Sequence, residues 1–222
     1  NNFIRNKMFY FSRQQLLLFS AIFILITIFP GLSFGYGYKK EEDPLITIFK
    51  SVVFHGRKND WTKVESGITT IQDRINDVQD LFGVNLRTKL DTGLEEHDFQ
   101  EVIKVMANLV FLAIREKFYW NLAEELKMFN RAKVRLRLVE EYYTALLAGN
   151  VRRYDRINGT KMHEKIINTF AEARKALGSL GFLGAGAVAP RADEFRRIVN
   201  EIEQKLITVF PYFESGKEIS YP

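Results

Sequence analysis

Apolar residues recur along this chain at alternating steps of three and four, the spacing of one face of an α-helix. Trp61, Val64, Ile68, Ile71, Ile75, Val78 and Phe82 form the longest such series. It predicts a helix with a single narrow apolar stripe, suited to lie lengthwise against a neighbour in a bundle. Asn59 or Asp60 caps its start, and Gly83 can take the left-handed position at its end. Before it, Asp43-Pro44 reads as a helix start, with Leu45, Ile48, Phe49, Val52 and Val53 on the buried face and Gly56 as the stop.

The stretch from Val105 to Ile114 holds one polar residue, Asn108, and is bounded by Lys104 and Arg115. Ten residues are too few to cross a bilayer, so a helix apolar all round must be surrounded by other helices. It is expected to be the central element, capped by Asp98 with Glu101 in capping-box spacing and running on through Phe118, Leu122 and Leu126. Residues 84–96 read as a linker that holds a short helix through Leu86, Leu90 and Leu94. After a turn near Phe129-Asn130, Ala132, Leu136, Val139, Tyr143 and Leu146 mark a helix closed by Gly149. Asn150 opens another, from Val151 to Leu177, with Asn158-Gly159 as a kink or a point of division. Residues 178–190 read as the longest flexible connection. Phe195, Ile198, Val199, Ile202, Leu206 and Val209 define the last helix, which Pro211 ends. No stretch reads as a strand and no internal repeat is evident. The expectation is an all-α, single-domain bundle of five to six helices over residues 44–213, with 214–222 as a flexible tail.

The N-terminal pattern differs. Arg5, Lys7 and Arg13 precede the apolar core Leu16–Phe29, followed by Pro30-Gly31 and then Ser33-Phe34-Gly35. As a helix the core spans roughly 21 Å, short of the roughly 30 Å hydrocarbon layer. This is the three-part plan of a secretory signal covering residues 1–35, cut after Gly35, with Met8 as the initiator and 36–43 as a linker. The alternative is an uncleaved anchor over about residues 14–38, which carry no charge. Both readings put the helical body outside the cytoplasm, periplasmic or extracellular.

Composition sharpens this picture by exclusion. The 32 basic residues include the three of the leader, so 29 face 27 acidic residues in the remainder. That near balance gives no reason to expect a nucleic-acid partner. The absence of cysteine rules out disulfides, cysteine-held zinc or iron–sulfur centres and a thiol nucleophile, so packing alone holds the body together.

Candidate chemistry is sparse. His97 lies among Glu95, Glu96 and Asp98, with Glu101 four residues on; His97 and Glu101 could share a helix face and bind a metal. The same residues also read as an acidic helix N-terminus. His163-Glu164 is a weaker pair, and His55 suits the negative end of its helix. The Glu-x-x-His repeat of carboxylate-bridged di-iron bundles does not occur. Asn108 reads as a buried polar site, either lining an internal pocket or bonding to a neighbouring helix. Arg131, Lys133, Arg135 and Arg137, then Arg152, Arg153 and Arg156, form the densest basic region and could hold phospholipid headgroups, a polyanion or an acidic protein surface; Glu140, Glu141 and Asp155 lie close enough to neutralise part of it, and the plain alternative is a solvated face. Glycines 178, 181, 184 and 186 lack the strand and the Lys-Ser/Thr of a phosphate loop. Asn158-Gly159-Thr160 is a glycosylation sequon in a eukaryotic host.

No nucleophile, acid–base pair or cofactor motif emerges, so no cofactor is expected. The expected role is a non-catalytic helical bundle of the cell envelope that binds a protein partner or contributes to a surface assembly. It would touch the membrane only through an uncleaved N-terminal segment. A periplasmic protein for a metal or small ligand is the alternative, and a hydrolase the third option.

Overall fold

Asp43 and Pro44 begin the first helix as their chemistry requires. The Asp43 carboxylate accepts the Leu45 N–H at 2.9 Å, and Pro44 fills a position that needs no donor. The structure, a computed structural model, describes residues 42–181 and 185–217. The signal or anchor, the linker through Glu41, residues 182–184 of the glycine-rich connection and residues 218–222 of the tail lie outside it.

Among the described residues the architecture is all-helical. Its segments are α1 (Pro44–Gly56), α2 (Trp61–Thr70), α3 (Gln72–Phe82), α4 (Leu86–Glu95), α5 (Phe99–Ala123), α6 (Phe129–Tyr142), α7 (Ala148–Asn158), α8 (Met162–Ala176) and α9 (Ala192–Val209). A π-helical turn, Tyr143–Leu147, joins α6 to α7. None of these helices is long and apolar enough to cross a membrane. One continuous apolar core runs through the body. Helix α5 is its axis, packed against α1, α3, α4, α6 and α9, with every residue from Val105 to Arg115 buried.

The segments outnumber the five or six expected, for local reasons. The stripe of residues 61–82 is divided at Ile71, whose φ is −111° and whose N–H turns back to the Ile68 carbonyl at 3.1 Å. The run Ile68-Thr69-Thr70-Ile71 is β-branched throughout. The Thr69 and Thr70 hydroxyls bond the carbonyls of Glu65 (2.9 Å) and Gly67 (2.6 Å), competing with the helix ladder. Residues 86–95 form a full helix, and Gly159, at φ +64°, separates α7 from α8.

Two expected boundaries move. The central helix ends at Ala123, not beyond Leu126, because Glu125 and Leu126 take positive φ angles of 49° and 58°. Gly149 does not close a helix: α6, the π turn and α7 make one continuous rod. The consecutive Tyr142 and Tyr143, where α6 passes into the π turn, are both fully buried. The connection around 178–190 is tied down where it is described. Ser179 and Val188 exchange both backbone hydrogen bonds at 2.9 Å, and the Arg191 N–H reaches the Ala176 carbonyl at 2.9 Å.

The segment after α9 also departs from a frayed tail as far as Lys217. Phe210 and Phe213 are buried and stacked on each other, and Phe213 stacks in turn on Phe111 of α5 with centroids 4.8 Å apart. The Lys217 N–H bonds the Phe82 carbonyl at 2.7 Å. Residues 210–217 thus form a strap across α3 and α5.

Candidate functional site

The four expected features separate in space. His97, at φ +53°, ends the turn after α4, and its ring stacks on Trp61 with centroids 4.8 Å apart. Asp98 caps α5: one carboxylate oxygen accepts the N–H groups of Gln100 (2.9 Å) and Glu101 (3.0 Å). Glu101 faces Lys104 at 3.5 Å. Among the described residues no three His, Asp or Glu side chains converge as a metal would need. The stretch is a capped helix start.

Asn108 is buried, and its side-chain oxygen accepts the Glu214 N–H at 2.8 Å. Its partner is the strap and not a neighbouring helix. It also lines a shallow recess of about 190 Å³ with Leu86, Lys89, Glu101, Lys104 and Tyr212. One turn pair further along α5, Arg115 is buried and bonds Glu203 of α9 at 2.9 Å. It also donates to the Ser215 carbonyl and lies over the Phe82 ring. Burial pushes the Glu203 carboxyl up, against the opposing pull of Arg115. Its second oxygen, Oε1, is buried without a hydrogen-bond partner. These polar groups hold the strap in place.

The π turn aims Tyr143 at α8. Its hydroxyl lies 2.7 Å from His163 Nδ1, and Arg152 reaches the other ring nitrogen at 3.5 Å. Burial raises the Tyr143 pKa, so the phenol keeps its proton; the imidazole tautomer sets which of the two groups donates. This pair joins the π turn to α8.

The basic region divides into a neutralised half and a free half. Arg135 grips Glu124 with two bonds of 2.8 and 3.1 Å, and Arg131 joins the same carboxylate at 3.1 Å. The Arg135 hydrogen bond, above the opposing desolvation, holds Glu124 below the usual carboxylate range. Arg137 lies 3.5 Å from Glu141, and Arg174 pairs with Glu140. On α7, Arg153 and Arg156 are exposed, and neither has an ion-pair partner among the described residues.

A groove opens between α6 and the C-terminal end of α8, enclosing about 600 Å³. Phe129, Val134, Leu136 and Leu177 line it, and Lys133, Arg137, Arg174 and Glu140 sit at its rim. Val134 is 59% exposed. Leu180 and Val188, both exposed, extend the apolar surface beside Ser179. An exposed valine within the basic run 131–137 was the one sequence signal for this groove; its opposite wall, some forty residues on, left none. No known protein family, curated protein or solved structure matches the chain.

Proposed function

We propose that this is an exported, non-catalytic helical bundle of the cell envelope, and that its α6–α8 groove receives an amphipathic segment of a partner protein. The groove carries the reading. It is apolar along its floor, open to solvent and walled by two helices, the form into which an amphipathic helix lays its apolar face. Lys133, Arg137 and Arg174 against Glu140 leave the rim net positive, which favours a partner with acidic flanks. The cations and apolar core of residues 5–29 supply the export reading. Helix faces are what the described residues offer to a partner.

The test places a photo-crosslinking amino acid at Val134 in the full chain, expressed in its own cells, with the exposed Thr47 on α1 as control. One protein should be captured at Val134 and not at Thr47, through a segment with apolar residues at steps of three and four and acidic residues beside them. Lys133→Glu with Arg137→Glu should abolish the capture without changing the melting temperature. In the same cells the mature chain should sediment with the envelope and begin at Tyr36. Indiscriminate capture at both positions, or capture indifferent to the charge reversal, overturns the groove; an uncut chain in the cytosol overturns the export.

A further inference from the structure

We infer that the arginine face of α7 is a second, independent docking surface, and that its occupant is an anionic lipid bilayer. At about 100° per residue, Arg152, Arg156, Arg153 and Ile157 fall in that order within an arc of about 140° on α7. All four are exposed, Ile157 by 71%. The buried face, Ala148 and Val151, lies opposite. Lys161 is exposed just beyond the Gly159 turn and adds a fourth cation to the corner.

Two carboxylates neighbour this corner, Asp155 and the exposed Glu164 in the first turn of α8, and neither forms an ion pair with the α7 arginines among the described residues. Asp155 accepts the Thr160 hydroxyl at 2.5 Å and the N–H groups of Met162 (2.6 Å) and His163 (2.9 Å), so it caps α8. This differs from α6, where Glu124, Glu140 and Glu141 neutralise the arginines beside them. Neutral donors do not cancel the Asp155 charge, but four cations against two carboxylates leave the corner net positive, and Coulomb attraction favours an anionic surface.

Ile157 decides between occupants. A soluble polyanion would gain from the arginines and have no use for an exposed isoleucine among them. A bilayer uses both: phosphate headgroups meet the guanidinium groups, and the apolar side chain enters the headgroup–acyl boundary. The paired planar N–H groups of arginine also suit phosphate oxygens. This surface lies apart from the groove residues and does not depend on the groove reading.

The chain has no cysteine, so Asn150→Cys, exposed on the same face, gives a single labelling site for an environment-sensitive fluorophore. The labelled full chain is titrated with vesicles of phosphatidylcholine alone and with vesicles that also contain phosphatidylglycerol. The neutral vesicles record whatever the apolar run of residues 16–29 contributes, and every variant shares that run. The fluorescence should shift to the blue on the anionic vesicles only, and the response should fall with added salt. Each cation near an anionic surface is worth about five-fold in partitioning, so Arg153→Gln with Arg156→Gln should weaken binding about 25-fold. Ile157→Ser should weaken vesicle binding and leave binding to soluble polyphosphate unchanged. Unchanged melting temperatures would show that these exposed substitutions leave the fold intact. The proposal fails if the probe ignores the anionic vesicles or if the arginine pair can be replaced without effect. It fails equally if Ile157→Ser is silent while polyphosphate or an acidic protein binds as tightly as the vesicles.

Discussion

Replacing Gly216 by alanine should unseat the strap that follows α9. Gly216 has φ +68°, and a Cβ there would run into the Phe82 carbonyl oxygen and lie 2.7 Å from Val84 Cγ2. The Lys217 N–H now bonds that same carbonyl, at 2.7 Å, and would lose it. The left-handed conformation costs a side chain about 1–2 kcal/mol and the lost hydrogen bond about 0.5–1.5, roughly 2–3 kcal/mol together. The strap can peel back only as far as Phe213, whose ring is held between Phe111 and Phe210, so the loss stays local. Gly159→Ala supplies the control. Gly159 has φ +64° with nothing within 4 Å of a built Cβ, so it bears the conformational cost alone. Urea unfolding of both variants, with hydrogen exchange at the Lys217 amide, separates the two contributions. If Gly216→Ala is no worse than Gly159→Ala and the Lys217 amide stays protected, the strap does not sit where described.

Two carboxylates should act on stability with opposite signs. Burial alone would raise Glu116, but Arg74 and Lys117 outweigh it and hold the carboxyl below its ordinary value of 4.5. Its contribution is present above that value and is lost as pH falls through the folded-state pKa. Glu116→Gln should flatten the acid side of the stability curve and cost about 2 kcal/mol at neutral pH, less than a fully buried pair because both side chains keep some water. Glu203 is raised, so its contribution is present below 4.5 and is lost as pH rises through the folded value. Glu203→Gln should abolish that decline, measured as urea midpoints across the acid-to-neutral range. Tyr143→Phe removes the hydroxyl that bonds His163 at 2.7 Å and should cost about 1 kcal/mol, with the His163 ring resonances shifted in NMR spectra.

The helical class was legible because burial on one face repeats at the period of the helix. Most members of the stripes read from the sequence are buried: Val64, Ile68, Ile75 and Val78, then Ala132, Leu136 and Val139, then Phe195, Ile198 and Ile202. What periodicity could not supply is anything that depends on which faces meet. Arg115 reads as the charged boundary of an apolar run, yet it lies in register with Asn108, Phe111 and Phe118 on the face that meets α9 and the strap. Glu203, four residues after Val199 and three before Leu206, sits at the edge of the α9 stripe, and that position was the available clue. The π turn left no comparable clue in the sequence.

The basic region shows why charge density alone is a poor guide to a binding face. Seven cations between residues 131 and 156 look like one feature, yet folding sorts them: Arg131 and Arg135 bind Glu124 ahead of α6, Arg137 pairs with Glu141 of its own helix, and Asp155 is turned into the start of α8. After folding, Arg131 and Arg135 are bound to Glu124, while Arg153 and Arg156 remain free among the described residues. An apolar groove and an unneutralised arginine face therefore occupy successive parts of one helical rod. Charge reversal at Arg137 and neutralisation at Arg153 should then act on different ligands, and a single loss shared by both would mean that the rod has one surface instead of two.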